Sequence, residues 1–276
     1  MPKQRNTFHI QQVARPEHLE RILGIMPVGN PLDLGSIHFE LIQDGYSVTY
    51  DGVRRSIDIG SKLCLMAKAG PSSYLLTNRG KAIKSLALYH REVYCDIIHF
   101  LFFSAWELQG NHNYWSWSYS KICELFWDNR PEIENHSTMF GQISALAERT
   151  FPELDASLGE ETIFVVSNWL KQLEPGFLIV EGKKTVACKE REWFSPELAL
   201  LSISYLYAVK KAAISTPILL DKSSLQIISP LCLASQETIV SMIEIASKTY
   251  PFIEIHAGEW GSSAILKQEL NISMFT

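Results

Sequence analysis

Between Asp51 and Leu88 the chain concentrates positive charge on a run whose apolar residues fall at helical spacing, and this stretch restricts the fold more than any other. Val53, Ile57, Gly60, Cys64 and Ala67 recur at the interval of one helix face. The spacing predicts a helix over Val53–Ala69 that leaves Arg54, Arg55, Lys62 and Lys68 facing outward. From Asp51 to Arg91 there are eight basic residues (Arg54, Arg55, Lys62, Lys68, Arg79, Lys81, Lys84, Arg91) against Asp51 and Asp58, a local balance of +6. The formal charge of the chain is −5, so the remainder carries −5 − 6 = −11. Such a balance argues against a protein that coats nucleic acid indiscriminately, and it isolates one basic patch suited to a directed contact.

After this helix, Gly70-Pro71 predicts a turn and Tyr74–Leu76 a short apolar strand. Thr77 then has the chemistry of an N-cap for a second helix through Lys81-Ala82-Ile83-Lys84. The passage Tyr74–Ile83 resembles the strand-then-helix segment of many prokaryotic winged-helix proteins, and the likeness extends over Asp51–Leu88. It implies a winged-helix fold, and the basic patch on that fold makes Val53–Ala69 the expected recognition helix in the major groove of double-stranded DNA. Arg54, Arg55, Ser56, Ser61 and Lys62 would then lie near base edges, with Lys68 on the same outer face, while Arg79, Lys81 and Lys84 serve phosphates.

A helix is expected over Leu34–Gln43 beneath the recognition helix, with a short strand Tyr46–Tyr50 between them. Leu86–Leu108 reads as one long buried helix, followed by the aromatic segment Asn111–Trp117 and a helix Tyr119–Asp128 capped by Ser118. Thr138–Thr150 is a further helix. Glu160–Leu173, the Glu174-Pro175-Gly176 stop and a hairpin of Phe177–Val180 with Thr185–Lys189 then repeat the order helix, turn, hairpin. This second module carries eight basic and thirteen acidic residues from Trp117 to Phe194, a net −5, which suits a protein partner better than a duplex. Lys183, Lys184, Lys189 and Arg191 on its wing offer a local phosphate contact.

Ser195-Pro196-Glu197 opens a helix to about Lys211. Beyond it, Ile218–Leu220, Leu225–Ile228 and Phe252–His256 read as strands, and Gln236–Lys248 and Ser262–Leu270 as helices. The expected fold is therefore mainly α with small β-hairpins (α+β). It divides into an N-terminal polar segment (1–30), a first winged-helix module with its linking helix (31–109), a second module (110–215) and a C-terminal α/β extension (216–276).

The Leu-Thr-x-x-Gly-x-x-Ile passage (Leu76–Ile83), with the apolar helix and aromatic segment after it, is similar to uncharacterised proteins encoded beside bacterial phage-defence genes. That family has no established catalytic residues to carry over. The resemblance implies a non-catalytic regulator or subunit of a prokaryotic defence or DNA-processing complex.

Composition, at 46% hydrophobic and 20% charged, is that of an ordinary globular protein. Five dispersed cysteines form no Cys-x-x-Cys pair, and no apolar leader follows Met1–Asn6, so a reducing cytoplasm is the expected compartment. Asp96 and His99 interrupt the longest apolar run, so no membrane partner is expected. P-loop, nucleophile-elbow, His-Glu-x-x-His and dinucleotide fingerprints are missing. Three constellations remain. Glu181-Gly182-Lys183 after an apolar strand, with Asp155 upstream, has the pattern of a metal-dependent nuclease, but reads more simply as a hairpin turn. His90, Cys95 and His99 lack a second ligand pair and read as a core cysteine and a hydrogen-bonded histidine rather than a metal site. Tyr114, Trp115, Trp117, Tyr119 and Trp127 suit base stacking, but packing accounts for them better. No catalytic residue, metal or cofactor is expected. An adaptor that binds protein and not DNA is the principal alternative, and the nuclease using Glu181 and Lys183 is another.

Overall fold

The structure, a computed structural model, describes residues 5–8, 15–131, 136–181, 185–259 and 261–275. In chain order the first elements are β1 (Arg5–Thr7), α1 (Pro16–Ile25), β2 (Leu32–Asp33), α2 (Leu34–Gln43) and α3 (Tyr50–Lys62). Next come β3 (Met66–Lys68), β4 (Ser73–Leu76), α4 (Asn78–Tyr89), α5 (Arg91–Gln109), α6 (Tyr114–Asp128) and α7 (His136–Thr150). Then follow β5 (Asp155–Ser157), α8 (Glu161–Leu170), β6 (Leu178–Glu181), β7 (Thr185–Cys188), α9 (Pro196–Lys210) and β8 (Ile218–Leu219). The last are α10 (Lys222–Cys232), α11 (Gln236–Thr249), β9 (Ile253–Gly258), β10 (Gly261–Leu266) and a 3-10 turn, Ile272–Phe275. The fold is mainly helical with small sheets, antiparallel except for the β1–β5 pair. Among the described residues no helix is long and apolar enough to cross a membrane.

The chain divides into two compact units: Ile10–Cys95 with Asn271–Thr276, and Met1–His9 with Asp96–Leu270. In the smaller unit α1 packs on α2, α3 and α4. Its core contains Leu19, Ile22, Leu23, Ile37, Leu41, Val53, Ile57 and Ile83, all buried. Asp33 closes β2 and caps α2 by accepting from the Gly35 and Ser36 amides, and Thr49 caps α3 by accepting from Gly52. The sheet runs β2-β4-β3, with Leu32 opposite Tyr74 and Met66 opposite Leu76. The 3-10 turn returns to α4 and buries Ile272.

The recognition-helix run ends sooner than its spacing predicts. Leu63 caps α3, Cys64 turns left-handed (φ 57°), and Met66–Lys68 is strand, so Lys68 lies on β3. Partners distant in sequence hold this ending: Thr77 Oγ1 donates to Cys64 O (2.7 Å), and Arg79 Nη1 to Leu63 O (3.2 Å). Residues 46–49 form no strand, and the expected helix Leu86–Leu108 is broken at His90, whose backbone is not helical (φ −142°, ψ 69°).

In the larger unit α6 contacts α7, α8 and α10, while α9, α10 and α11 pack on one another. Helix α6 begins at Tyr114, earlier than its expected start, and Ser118 lies inside it. Two C-terminal elements depart from expectation: Leu225–Ile228 lies within α10, and most of the expected helix Ser262–Leu270 is strand β10. The sheet there runs β8-β10-β9. The order α9–β8–α10–α11–β9–β10 is therefore the order α1–β2–α2–α3–β3–β4 over again, with the same strand arrangement. Asp221, before α10, accepts from the Ser224 amide, as Asp33 does before α2, and Ser235 caps α11.

A buried polar centre ties this unit together. Arg191 Nη2 lies 2.7 Å from Asp96 Oδ1, with neither side chain exposed. Arg191 also donates to the carbonyls of Pro175 (3.1 Å) and Glu174 (2.9 Å), and its amide donates to Leu233 O (2.9 Å). Asp96 Oδ2 accepts from the Ser195 amide at the start of α9 (2.8 Å). Burial pushes the Asp96 carboxyl up, against the pull of the guanidinium.

Candidate nucleic-acid interface

Helix α3 and the β3–β4 hairpin bring only some of the expected contact residues to the surface. Arg54 is exposed, and Arg55 and Ser61 are half-buried, with Tyr50 (51% exposed) at the helix start. Lys68 stands exposed at the end of β3, beside the tip formed by Ala69–Ser72. Ser56 lies on the inward face and is buried, which removes it from any groove contact.

Asp51 organises this surface. Its Oδ1 accepts from Arg54 Nε (3.1 Å) and Nη2 (2.6 Å), and its Oδ2 accepts from Arg55 Nε (2.6 Å). These hydrogen bonds, Arg54 first, hold the Asp51 carboxyl below its ordinary value and push the Arg54 guanidinium up. One carboxylate thus sets two guanidiniums side by side at the first turn of the helix. Asp51 stands three and four residues before the arginines, the spacing of a helical ion-pair clamp, and this is legible in the sequence. One turn on, Lys62 Nζ lies 3.0 Å from Asp58 Oδ2.

The basic residues after β4 are occupied within the unit. Lys84 Nζ donates to Gly24 O (2.8 Å) and Met26 O (2.7 Å) at the end of α1, and burial lowers its pKa. Arg79 is turned to Leu63 O, and Lys81 reaches Asn78 Oδ1 at 3.5 Å. Of the nine expected contact residues, Arg54, Arg55, Ser61, Lys62 and Lys68 stay with the outward face, Ser56, Arg79 and Lys84 are structural, and Lys81 is turned to Asn78. An apolar pair on α2, Phe39 (59% exposed) and Ile42 (45% exposed), was not singled out in the sequence.

In the larger unit the expected phosphate contact from the second wing is corrected at one position, Arg191. Arg191 is buried on Asp96, and Lys189 Nζ is paired with Glu192 at 2.7 Å. Gly182, Lys183 and Lys184 lie outside the described residues, as do the side chains of Asp155 and Glu181, and with them the nuclease constellation. Trp115, Trp117, Tyr119 and Trp127 are buried. Trp117 packs with Phe8, Ala147 and Phe151, and Tyr114 and Trp106 border that cluster. These aromatics are core. His99 is held by Tyr119 and by Leu231 O, and no group of three metal-ligating side chains occurs among the described residues. A cavity of about 190 Å³ between Phe103, Trp106, Trp117 and Tyr205 opens past Glu107 and the Lys121–Glu124 pair. It is smaller than the roughly 300 Å³ at which ligand pockets begin.

Comparison with known protein families, with characterised proteins and with solved structures returns no match.

Proposed function

We propose that Ile10–Cys95, with the C-terminal turn, is a winged-helix module that binds double-stranded DNA through α3 and the β3–β4 hairpin. The order helix, strand, helix, helix, strand, strand with the sheet β2-β4-β3 supports the winged-helix reading. The observation that carries the DNA reading is the guanidinium pair of Arg54 and Arg55 on the outward face of α3, followed along the same surface by Lys62 and Lys68. A guanidinium pair on one helix face suits guanine edges or phosphate oxygens. The chain as a whole is then a non-catalytic regulator or subunit of a DNA-processing or prokaryotic defence complex. Its second module (110–215), with a net charge of −5 over Trp117–Phe194, engages a protein.

Replacing Arg54 and Arg55 together with alanine in the full chain tests the DNA reading. Binding of a random-sequence duplex at two salt concentrations is expected to weaken, with the log–log salt slope falling by about 0.9 for each phosphate that is no longer neutralised. Unchanged affinity and slope would remove α3 as the DNA-contacting helix. The protein-adaptor reading gains from Phe39, Ile42 and Tyr50, three exposed apolar side chains on α2 and at the start of α3. It is the reading to adopt if duplex binding is absent altogether.

A further inference from the structure

Strand β9 is an unguarded sheet edge. Among the described residues, in the order β8-β10-β9, it is hydrogen-bonded on one side only. Natural edges are blunted by short length, lysine, proline or a bulge. The matching edge of the smaller unit, β3, obeys this with three residues ending in Lys68. β9 does not: it runs six residues, Ile253–Gly258, with no lysine, no proline and an unbroken register against β10.

The ladder fixes which backbone groups face outward. Lys267 N donates to Phe252 O at 2.8 Å, which makes Phe252 a residue bonded towards β10. Alternation then turns Glu254, His256 and Gly258 the same way and leaves the N–H and C=O of Ile253, Ile255 and Ala257 pointing off the sheet.

We propose that β9 pairs antiparallel with β9 of a second copy of this chain about a twofold axis at Ile255. This register is self-complementary. Ile255 meets its own counterpart, and Ile253 meets Ala257, so every outward N–H and C=O of the three residues finds a partner. Between them Glu254 comes directly opposite His256, twice by symmetry, in the non-hydrogen-bonded positions where cross-strand side chains are closest. A carboxylate thus faces an imidazole N–H on the solvent side, and isoleucine faces isoleucine on the other. Both polar side chains are about half exposed within one copy (48% and 57%) and already lie 3.4 Å apart, with Lys267 Nζ 2.6 Å from Glu254 on the flank. The contact is isologous, so it closes at two copies and leaves neither β9 edge open. It stands apart from the DNA reading, because it uses only the larger unit.

Sedimentation velocity of the full chain over a wide concentration range tests the pairing. A monomer–dimer equilibrium is expected. Ile255→Pro removes an outward N–H at an edge position that tolerates proline, and is expected to abolish the dimer. His256→Glu sets carboxylates opposite one another and is expected to weaken the dimer roughly tenfold, and adding Glu254→Lys to it is expected to restore the affinity. Circular dichroism confirms that each variant is folded. A chain that stays monomeric throughout overturns the proposal. So does a dimer indifferent to Ile255→Pro or to the charge exchange, because its contact lies elsewhere.

Discussion

His99 is buried between two partners that assign its proton. Leu231 O can only accept, so Nε2 carries the hydrogen (2.7 Å) and Nδ1 is left to accept from the Tyr119 hydroxyl (2.9 Å). Burial holds the imidazole pKa down to about 3, whereas in the unfolded chain it protonates near 6.5. The sign follows: below about pH 6.5 the unfolded state takes up a proton that the folded state refuses, so stability is lost as pH falls, by about 1.4 kcal/mol per unit. His99→Gln removes this dependence. The lead of the wild type over His99→Gln in urea unfolding is expected to shrink by about 2 kcal/mol between pH 6.5 and 5. A lead that stays constant over that range would mean that His99 titrates alike in both states.

At the level of elements, the meeting of α3 and α4 shows how a sequence pattern becomes a joint. In Leu-Thr-x-x-Gly-x-x-Ile, Leu76 and Ile83 are core, and Thr77 both caps α4 and holds the end of α3. Gly80 lets the two backbones touch, since a Cβ there would fall 1.9 Å from Leu65 O. Glycine to alanine in a helix ordinarily stabilises by about 1 kcal/mol. Here Gly80→Ala is expected to destabilise by about 2–3 kcal/mol, read as a lower denaturation midpoint at unchanged m. A gain in stability would show that the joint is looser than its geometry. The motif was legible in the sequence, but the reason for its glycine was not, because Leu65 meets it only through the fold. The same limit explains the misread ends. Helix α3 stops where Thr77 and Arg79 take its carbonyls, which no local spacing announces. Ser262–Leu266 has residues that suit a helix, yet pairing with β9 imposes a two-residue alternation that buries Ala264 and Leu266. For α10 the sign was local: Asp221 followed by Ser223 and Ser224 is an N-cap, outweighed by the apolar run after it. On the interface, outward positions of α3 were readable from the wheel. Capture of Arg79 and Lys84 by distant carbonyls was not.

On the scale of the whole molecule, Arg191 joins segments that are remote in sequence: α5 through Asp96, the end of α8 through Glu174 and Pro175, the start of α9 through Asp96 and Ser195, and the α10–α11 turn through Leu233. Arg191→Met strands the Asp96 carboxyl and is expected to cost about 3–5 kcal/mol, whereas pairing it with Asp96→Leu is expected to return most of that loss. Chemical denaturation of the two variants checks this, and equal losses would mean that the pair is not coupled. The arrangement also bears on time. A guanidinium pocket built from so many distant pieces is expected to be completed only after the surrounding helices have docked, on the native side of the folding barrier. Loss of Arg191 should therefore leave the refolding rate nearly unchanged and speed unfolding by about two to four orders of magnitude. The buried pair acts as a latch on the lifetime of the folded chain and contributes little to how quickly that chain is reached.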